Sequence, residues 1–391
     1  MKRLYATKTL QKDKLYKEIQ ENIQSYYKLS IEKEQKQKSY LQNLKVFNQH
    51  SRDNVSMDYD FERKYKEYSR LTQQKISTIE QMANDKGYVS LFITLTLPSR
   101  FHPFKSIAYK NNKRLYTQRN KEFIFDSVSD AIKNGYKFLN ELFQRLYKRI
   151  KFFTKKELLY ARSVEFHASL IPHLHCVLFF PLEKYDEVVG VYKRIVEHYK
   201  LDKVDIETVN MRNDINYASR YILKYIVKTI SDNSDYFEAR VLDGWKRKNK
   251  IRLLSHSQLP LNQEIYKKIY HSFTNIKKNK IFSKKDYKLQ IGRKEIDNEV
   301  RTSCIPYYYF FQQNLHLEQK ICEVNSKCSK TNISKFGDIN SLFHIKIEKE
   351  RRRDSKGRLT YKIKNLVIEY RGVEIYQNSK YLILKDYIGE N

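Results

Sequence analysis

His173 and His175 stand two residues apart in the stretch IPHLHCVLFF, residues 171–180, which is otherwise almost wholly apolar. Side chains alternate along a strand, so both imidazoles point to one face, together with Val177 and Phe179. Two neutral imidazoles held a few ångströms apart are half of a divalent-metal site. A His-x-His pair on a strand also occurs as plain core, so the neighbouring residues decide between the two readings.

Glu165 and His167 precede the pair by a short link, ASLIP. A hairpin centred near residue 170 would set Glu165 opposite His175 and His167 opposite His173 on one sheet face. A one-residue slip in strand register would turn Glu165 away. One carboxylate beside two imidazoles suits a hard or borderline ion such as Mg²⁺ or Mn²⁺ with coordination positions left open.

A second constellation lies in YASRYILKYIVK, where Tyr217, Tyr221 and Tyr225 recur every four residues and so share one helix face. Lys224 and Lys228 follow the last two tyrosines at a spacing of three, within reach of each phenol or of a phosphate held against it. A phenol titrates near 10, so its use as a nucleophile at neutral pH needs positive charge close by. A buried tyrosine stripe is the alternative, but Ile222, Leu223, Ile226, Val227 and Ile230 already offer a core-facing surface.

The elements that must position these groups follow from periodicity. β-branched alternation in YVSLFITLTLPSRFH, residues 88–102, predicts a strand with Ile93, Leu95 and Leu97 on one face and Phe92, Thr94 and Thr96 on the other, ended by Pro98. A helix over 127–153 carries Ile132, Tyr136, Leu139, Phe143, Leu146 and Ile150 as a stripe for a sheet. Strands over 158–167 and 173–180, a helix at 184–199, a short strand at 204–209 and a helix at 213–230 complete the set. Asn213 or Asp214 could cap the last helix. This order predicts an α+β fold, a central antiparallel sheet covered by helices. Residues 1–85 read as a basic helical N-terminal region, 86–260 as the domain bearing the site, and 261–391 as a basic, β-rich C-terminal region. A short strand and a helix near 250–270 lead into that last region, which has hairpin turns at Ser355-Lys356-Gly357 and Arg371-Gly372.

Composition points to the partner. Lysine and arginine number 76 against 45 acidic residues, a formal net charge of +31, and 32 Tyr and 21 Phe supply flat faces for unpaired bases. Nucleic acid is the favoured partner over an acidic protein or a membrane surface. No apolar run is long enough to cross a bilayer, so a soluble, cytoplasmic protein is expected. Cys176, Cys304, Cys322 and Cys328 form no CxxC pair and are expected to be reduced. His316, Cys322 and Cys328 match no common zinc spacing. The sequence carries no GxxxxGK[ST] phosphate loop.

Three motifs in this order, FITLTLPSRFH (Phe92 to His102), EFHASLIPHLH (Glu165 to His175) and YILKYIVK (Tyr221 to Lys228), resemble the replication initiators of the His-hydrophobe-His (HUH) endonuclease superfamily. The likeness is greatest to the phage replication gene A type and covers about residues 88–260. It implies His173, His175 and Glu165 as ligands of Mg²⁺ or Mn²⁺, Tyr221 and Tyr225 as paired nucleophiles, and Lys224 and Lys228 as their basic partners. Arg100, His102, Tyr217 and Arg220 are then expected to contact DNA. The implied reaction is nicking of single-stranded origin DNA by transesterification, leaving a 5′-phosphotyrosine link and a free 3′-hydroxyl, in rolling-circle replication. A host helicase and DNA polymerase in the bacterial cytoplasm are the implied partners, with no membrane. A two-tyrosine transposase or a relaxase would use similar groups, and an origin binder without catalysis is the rival from another class. Where the family has Asp-Gly in the hairpin before the second motif, this chain has Ser169-Leu170.

Overall fold

The computed structural model describes residues 8–48, 53–55, 57–108, 115–201, 206–209, 236–259, 261–278, 294–296, 299–301, 307–323, 328–333, 341–355, 357–377 and 381–385. The chain divides into two compact units, Met1–Lys38 with Tyr59–Gln258, and Ser39–Asp58 with Leu259–Asn391.

In the first unit we number helices α1 (Lys14–Gln42, entering the second unit at its end), α2 (Phe61–Asp85), α3 (Val128–Phe153), α4 (Tyr185–Tyr199) and α5 (Phe237–Lys248). The strands are β1 (Val89–Leu95), β2 (Phe104–Ala108), β3 (Leu115–Arg119), β4 (Leu159–Phe166), β5 (Pro172–Phe180), β6 (Ile206–Val209) and β7 (Leu254–His256). Five of them form an antiparallel sheet in the order β6-β1-β5-β4-β7, and β2 pairs with β3 in a separate hairpin. Antiparallel sheets with helices are thus the architecture, as the periodicity predicts.

The central strand β5 is buried along its whole length. Its even residues Leu174, Cys176, Leu178 and Phe180 join Leu91, Ile93 and Leu95 of β1 in one core with Ile132, Leu139, Phe143, Leu146 and Ile150 of α3 and Val188, Val191 and Ile195 of α4. The opposite face buries Phe92, Val177 and Phe179, and α2 packs against β4 and β5. Helices therefore cover the sheet on both sides, which is why β5 reads as an almost unbroken apolar run.

The N-terminal helix belongs to this core. Leu15, Ile19, Ile23 and Tyr26 of α1 are buried in the same cluster as the sheet. Glu18 of α1 accepts hydrogen bonds from the Val128 and Ser129 amides at 3.0 and 3.1 Å. Those amides are orphan donors of the first turn of α3, which Ser127 also caps by accepting from Asp130 N at 3.0 Å. A carboxylate at a helix N-terminus gains from the helix dipole as well.

In the second unit a five-stranded sheet runs in the order 328–333, 315–323, 343–353, 359–370, 373–377, with 315–323 parallel to 343–353 and the other pairs antiparallel. Both expected hairpins form: Gly357 lies at φ +73°, Arg371 at +48° and Gly372 at +79°, the left-handed conformations that tight turns require. Strands at 44–48, 53–55 and 381–385 pair in a smaller sheet that periodicity did not reveal. The expectation of reduced thiols is corrected here, because Cys322 is disulfide-bonded. It stands opposite Cys328 across an antiparallel pair, a juxtaposition set by strand register and invisible in sequence spacing. A bonded sulfur is no zinc thiolate, so His316, Cys322 and Cys328 are not a zinc site.

Gly244 of α5 lies so close to α1 that a Cβ placed there would meet the Tyr26 carbonyl oxygen at 1.9 Å. Replacing it by alanine drives a methyl into backbone, which cannot swing aside. Gly244→Ala is expected to lower the stability of this unit by about 3 kcal/mol, the upper part of the overpacking range, as read from urea unfolding midpoints.

Candidate metal-ligand cluster on the sheet

The imidazole pair sits where two strands cross the middle of the sheet. His173 and His175 are 6% and 4% exposed, so neither ring is a solvated surface group. Their Nε2 atoms converge on one oxygen: His173 Nε2 lies 2.5 Å and His175 Nε2 3.0 Å from Glu165 Oε1. Glu165, His173 and His175 offer ligand atoms all within 4.8 Å of one another, the only such group among the described residues.

The hairpin that brings them together differs from expectation in its register. Glu165 pairs with His173 and Ser163 with His175, so the centre lies at residue 169, not 170. Moving the centre by one residue moves every partner by two, which preserves the face. Glu165 therefore stays beside both imidazoles although its direct partner changes. The turn closes through His167 N to Ile171 O at 2.9 Å and Leu170 N to His167 O at 2.8 Å. Leu170 adopts φ +66°, a left-handed conformation that costs a branched side chain about 1–2 kcal/mol. Leu170 is fully buried, and its carbonyl accepts a hydrogen bond from Trp245 Nε1 of α5 at 3.1 Å. Trp245 also meets Phe166 edge to face at 5.1 Å. Burial of the side chain and this tie hold the turn that Asp-Gly would form with less strain.

Each ring is oriented by its surroundings. His175 Nδ1 lies 3.1 Å from Thr94 Oγ1 on β1, and its ring stacks on Phe92 at 5.8 Å. A proton on Nδ1 shared with the hydroxyl leaves the Nε2 lone pair free for a cation. His173 is positioned differently: its ring stacks on His167 at 4.0 Å, and its Nδ1 is buried without a hydrogen-bond partner among the described residues. His167 also meets His102 edge to face at 5.7 Å. His102 donates Nε2–H to the Leu97 carbonyl at 3.1 Å. Asn120 clamps that loop by donating to Ser99 O and His102 O, each at 2.7 Å.

Burial alone would raise the Glu165 carboxyl. Hydrogen bonds from His173 and then His175 outweigh it and bring the group down to about 2. Burial of its ring, and next the neighbouring His173 and His102, hold His167 well below the ordinary imidazole range, although part of the residue remains exposed. The cluster thus combines an ionised carboxylate with two convergent nitrogens, a donor set that fits a divalent cation of the hard or borderline kind.

Of the other residues singled out by sequence, His102 lies at the rim of this imidazole group. Arg100 is exposed, with its guanidinium over Phe101 at 5.6 Å. Tyr217, Arg220, Tyr221, Lys224, Tyr225 and Lys228 lie outside the described residues. Sequence reading missed Thr94, Asn120 and Trp245. Thr94 had a usable signal, since alternation placed it on the face away from Ile93 and Leu95.

A sheet face bearing a buried His-x-His pair and an ionised carboxylate, flanked by helices, defines a mixed α/β protein with a compact cluster of metal-ligating groups. The chain belongs to the bacteriophage replication gene A protein (GPA) family, which it matches over residues 11–235. It is similar to the replication gene A protein of Escherichia phage 186, with 26% identity over 165 residues that make up 40% of this chain and 22% of that protein. The replication gene A protein of Escherichia phage P2 is 28% identical over 163 residues, 40% of this chain and 20% of that protein. The match thus spans about a fifth of each relative. No solved structure matches the chain. Glu165, His173 and His175 fall inside the family match, whereas Trp245 falls outside it.

Replacing Thr94 by valine keeps the shape and removes the hydroxyl that faces His175 Nδ1. On the proposal that the cluster holds Mn²⁺, Thr94→Val is expected to weaken that binding about 10- to 100-fold, the usual effect of losing a partner that orients a ligand. Calorimetric titration of the metal-free protein measures this, and undiminished affinity would remove Thr94 from the site.

Proposed function

We propose that the protein initiates rolling-circle DNA replication by nicking single-stranded DNA at an origin. The observation that carries this reading is the convergence of His173 Nε2 and His175 Nε2 on the Glu165 carboxylate, in a chain of the replication gene A family. Net charge of +31 favours the polyanionic substrate.

His173, His175 and Glu165 would hold Mg²⁺ or Mn²⁺, which supplies positive charge to the oxygens of the scissile phosphate. Thr94 and the His167 ring keep the two imidazoles aimed at that position. The Tyr221 or Tyr225 oxygen attacks phosphorus, the bond to the 3′ oxygen breaks, and the phenolic proton ends on the departing 3′-hydroxyl. Lys224 and Lys228 stabilise the phenolate and the phosphate as charge develops. The product is a 5′-phosphotyrosine link with bond energy conserved, so rejoining to a 3′-hydroxyl requires no nucleotide. Two nucleophiles four residues apart in sequence would let one phenol cut the regenerated origin while the other still holds the first end. Arg100, His102, Tyr217 and Arg220 are assigned to holding the strand, and a host helicase and polymerase to unwinding and synthesis. On this reading the protein is an endonuclease of the HUH class acting in the cytoplasm of a bacterial host.

Incubation with a labelled origin oligonucleotide and Mn²⁺ is expected to give an adduct that survives SDS. Tyr221→Phe and Tyr225→Phe singly are expected to leave initial nicking partly intact, and together to abolish it. Nicking by the double variant would overturn the tyrosine assignment. No adduct from the wild type at any candidate origin, with binding retained, would instead support an origin binder without catalysis.

A further inference from the structure

A second feature lies on the other side of the sheet from the imidazoles. The last turns of α3 and the middle of α4 line an open cleft of ≈ 460 Å³ with Lys148, Arg149, Phe152, Phe153, Val191 and Arg194. Phe152 is 79% exposed and Phe153 37%, and their rings meet edge to face at 5.6 Å. A folded protein gains nothing by leaving a phenyl ring this bare.

The charges that line it all have one sign. From Leu142 to Phe153, α3 carries Arg145, Lys148, Arg149 and Lys151 and no acidic residue. The cleft lining contains three cations and no carboxylate. Cations near a helix C-terminus are favoured by the dipole without any ligand, which accounts for Lys151 and part of the charge. The dipole does not account for Arg194 on another helix, nor for an exposed aromatic pair set among cations.

Together these features match the requirements of an unpaired strand: positive groups to follow phosphates and a free ring on which a base can stack. Duplex DNA offers phosphates but no open base face at this position. We propose that the α3–α4 cleft is a second binding surface for single-stranded DNA, with Phe152 as the stacking platform and Lys148, Arg149 and Arg194 as phosphate contacts. The choice of polymer rests on the function proposed above. The contact itself is remote from the cluster, because α3 packs on the face opposite the imidazoles and delivers the chain to Leu159 at the start of β4. Six strand residues, about 20 Å at ~3.3 Å each, separate that end from Glu165. A strand engaged at the cluster would be gripped again at the rear of the domain, where nicking chemistry does not take place.

The test is fluorescence anisotropy of labelled oligo(dT) of roughly 20 nucleotides, longer than common single-strand site sizes, measured in EDTA with the full chain. Without an origin or a metal the readout is independent of cleavage, so failure of the nicking reading and failure of this one are separable. Phe152→Ala is expected to weaken oligo(dT) binding about 5- to 100-fold, the range for loss of one stacked base, while binding of a duplex of equal length changes less than about twofold. The triple variant Lys148→Glu, Arg149→Glu, Arg194→Glu is expected to weaken both and to reduce the salt dependence of oligo(dT) binding. Circular dichroism and melting of Phe152→Ala should match the wild type, since the ring is exposed. Unchanged oligo(dT) binding by Phe152→Ala overturns the proposal, even if the patch proves to contact a protein. So does an equal loss for single strand and duplex, which would mean that no base stacks there.

Discussion

A carboxylate and two buried imidazoles share one patch of sheet, and most of the surrounding structure follows from the need to keep them together. An ionised carboxylate costs several kcal/mol to bury unless partners replace its hydration. Glu165 keeps part of its side chain exposed, and its Oε1 receives both Nε2 atoms. Removing either imidazole would leave a half-buried charge with one partner fewer. A cation seated where the three groups meet would compensate the same carboxylate.

That convergence depends on a tight hairpin, and the hairpin depends on helices far away in sequence. Leu170 bears the strain of a left-handed turn because its side chain is buried and its carbonyl is held by Trp245, 75 positions further on. Substituting glycine there would release about 1–2 kcal/mol of backbone strain but remove a buried leucine worth about 2–5 kcal/mol, so leucine wins. Trp245 is fixed in turn because its neighbour Gly244 lets α5 lie directly on the backbone of Tyr26 in α1. Glu18, two turns earlier on α1, caps α3. The N-terminal helix, which the sequence shows only as part of a basic helical region, belongs to the frame of the site.

How much of this was legible in the sequence follows from what periodicity encodes. Alternation fixed the face of each side chain, so the sharing of one face by Glu165, His173 and His175 survived an error in the hairpin centre. Alternation does not count residues in a turn, and Ser169-Leu170 carries no turn signature, so the pairing of Glu165 with His173 was misread. Helix α3 and its apolar stripe were readable because 26 residues of regular spacing leave little ambiguity. Thr94, Asn120 and Trp245 act through single hydrogen bonds across long sequence separations, and no local pattern marks such bonds. The disulfide at Cys322 was hidden for the same reason, since cross-strand register decides it.

Charge explains why the imidazoles extend beyond the two that touch Glu165. His102, His167, His173 and His175 form a continuous row of rings with contacts of 5.7, 4.0 and 4.7 Å. One carboxylate cannot neutralise four imidazolium ions at such distances, so a fully protonated row would repel itself. His167 resolves the conflict by being driven toward its neutral form, in which it serves as a flat, uncharged plate against His173. Glu165 is thereby left facing only the two nitrogens that converge on it, while the His167 ring supplies shape and stacking. A sheet face built in this way concentrates its one strong electrostatic demand at a single point, open on the side where Glu165 reaches solvent. The basic surfaces elsewhere on the chain can then attract a polyanion without competing for that point.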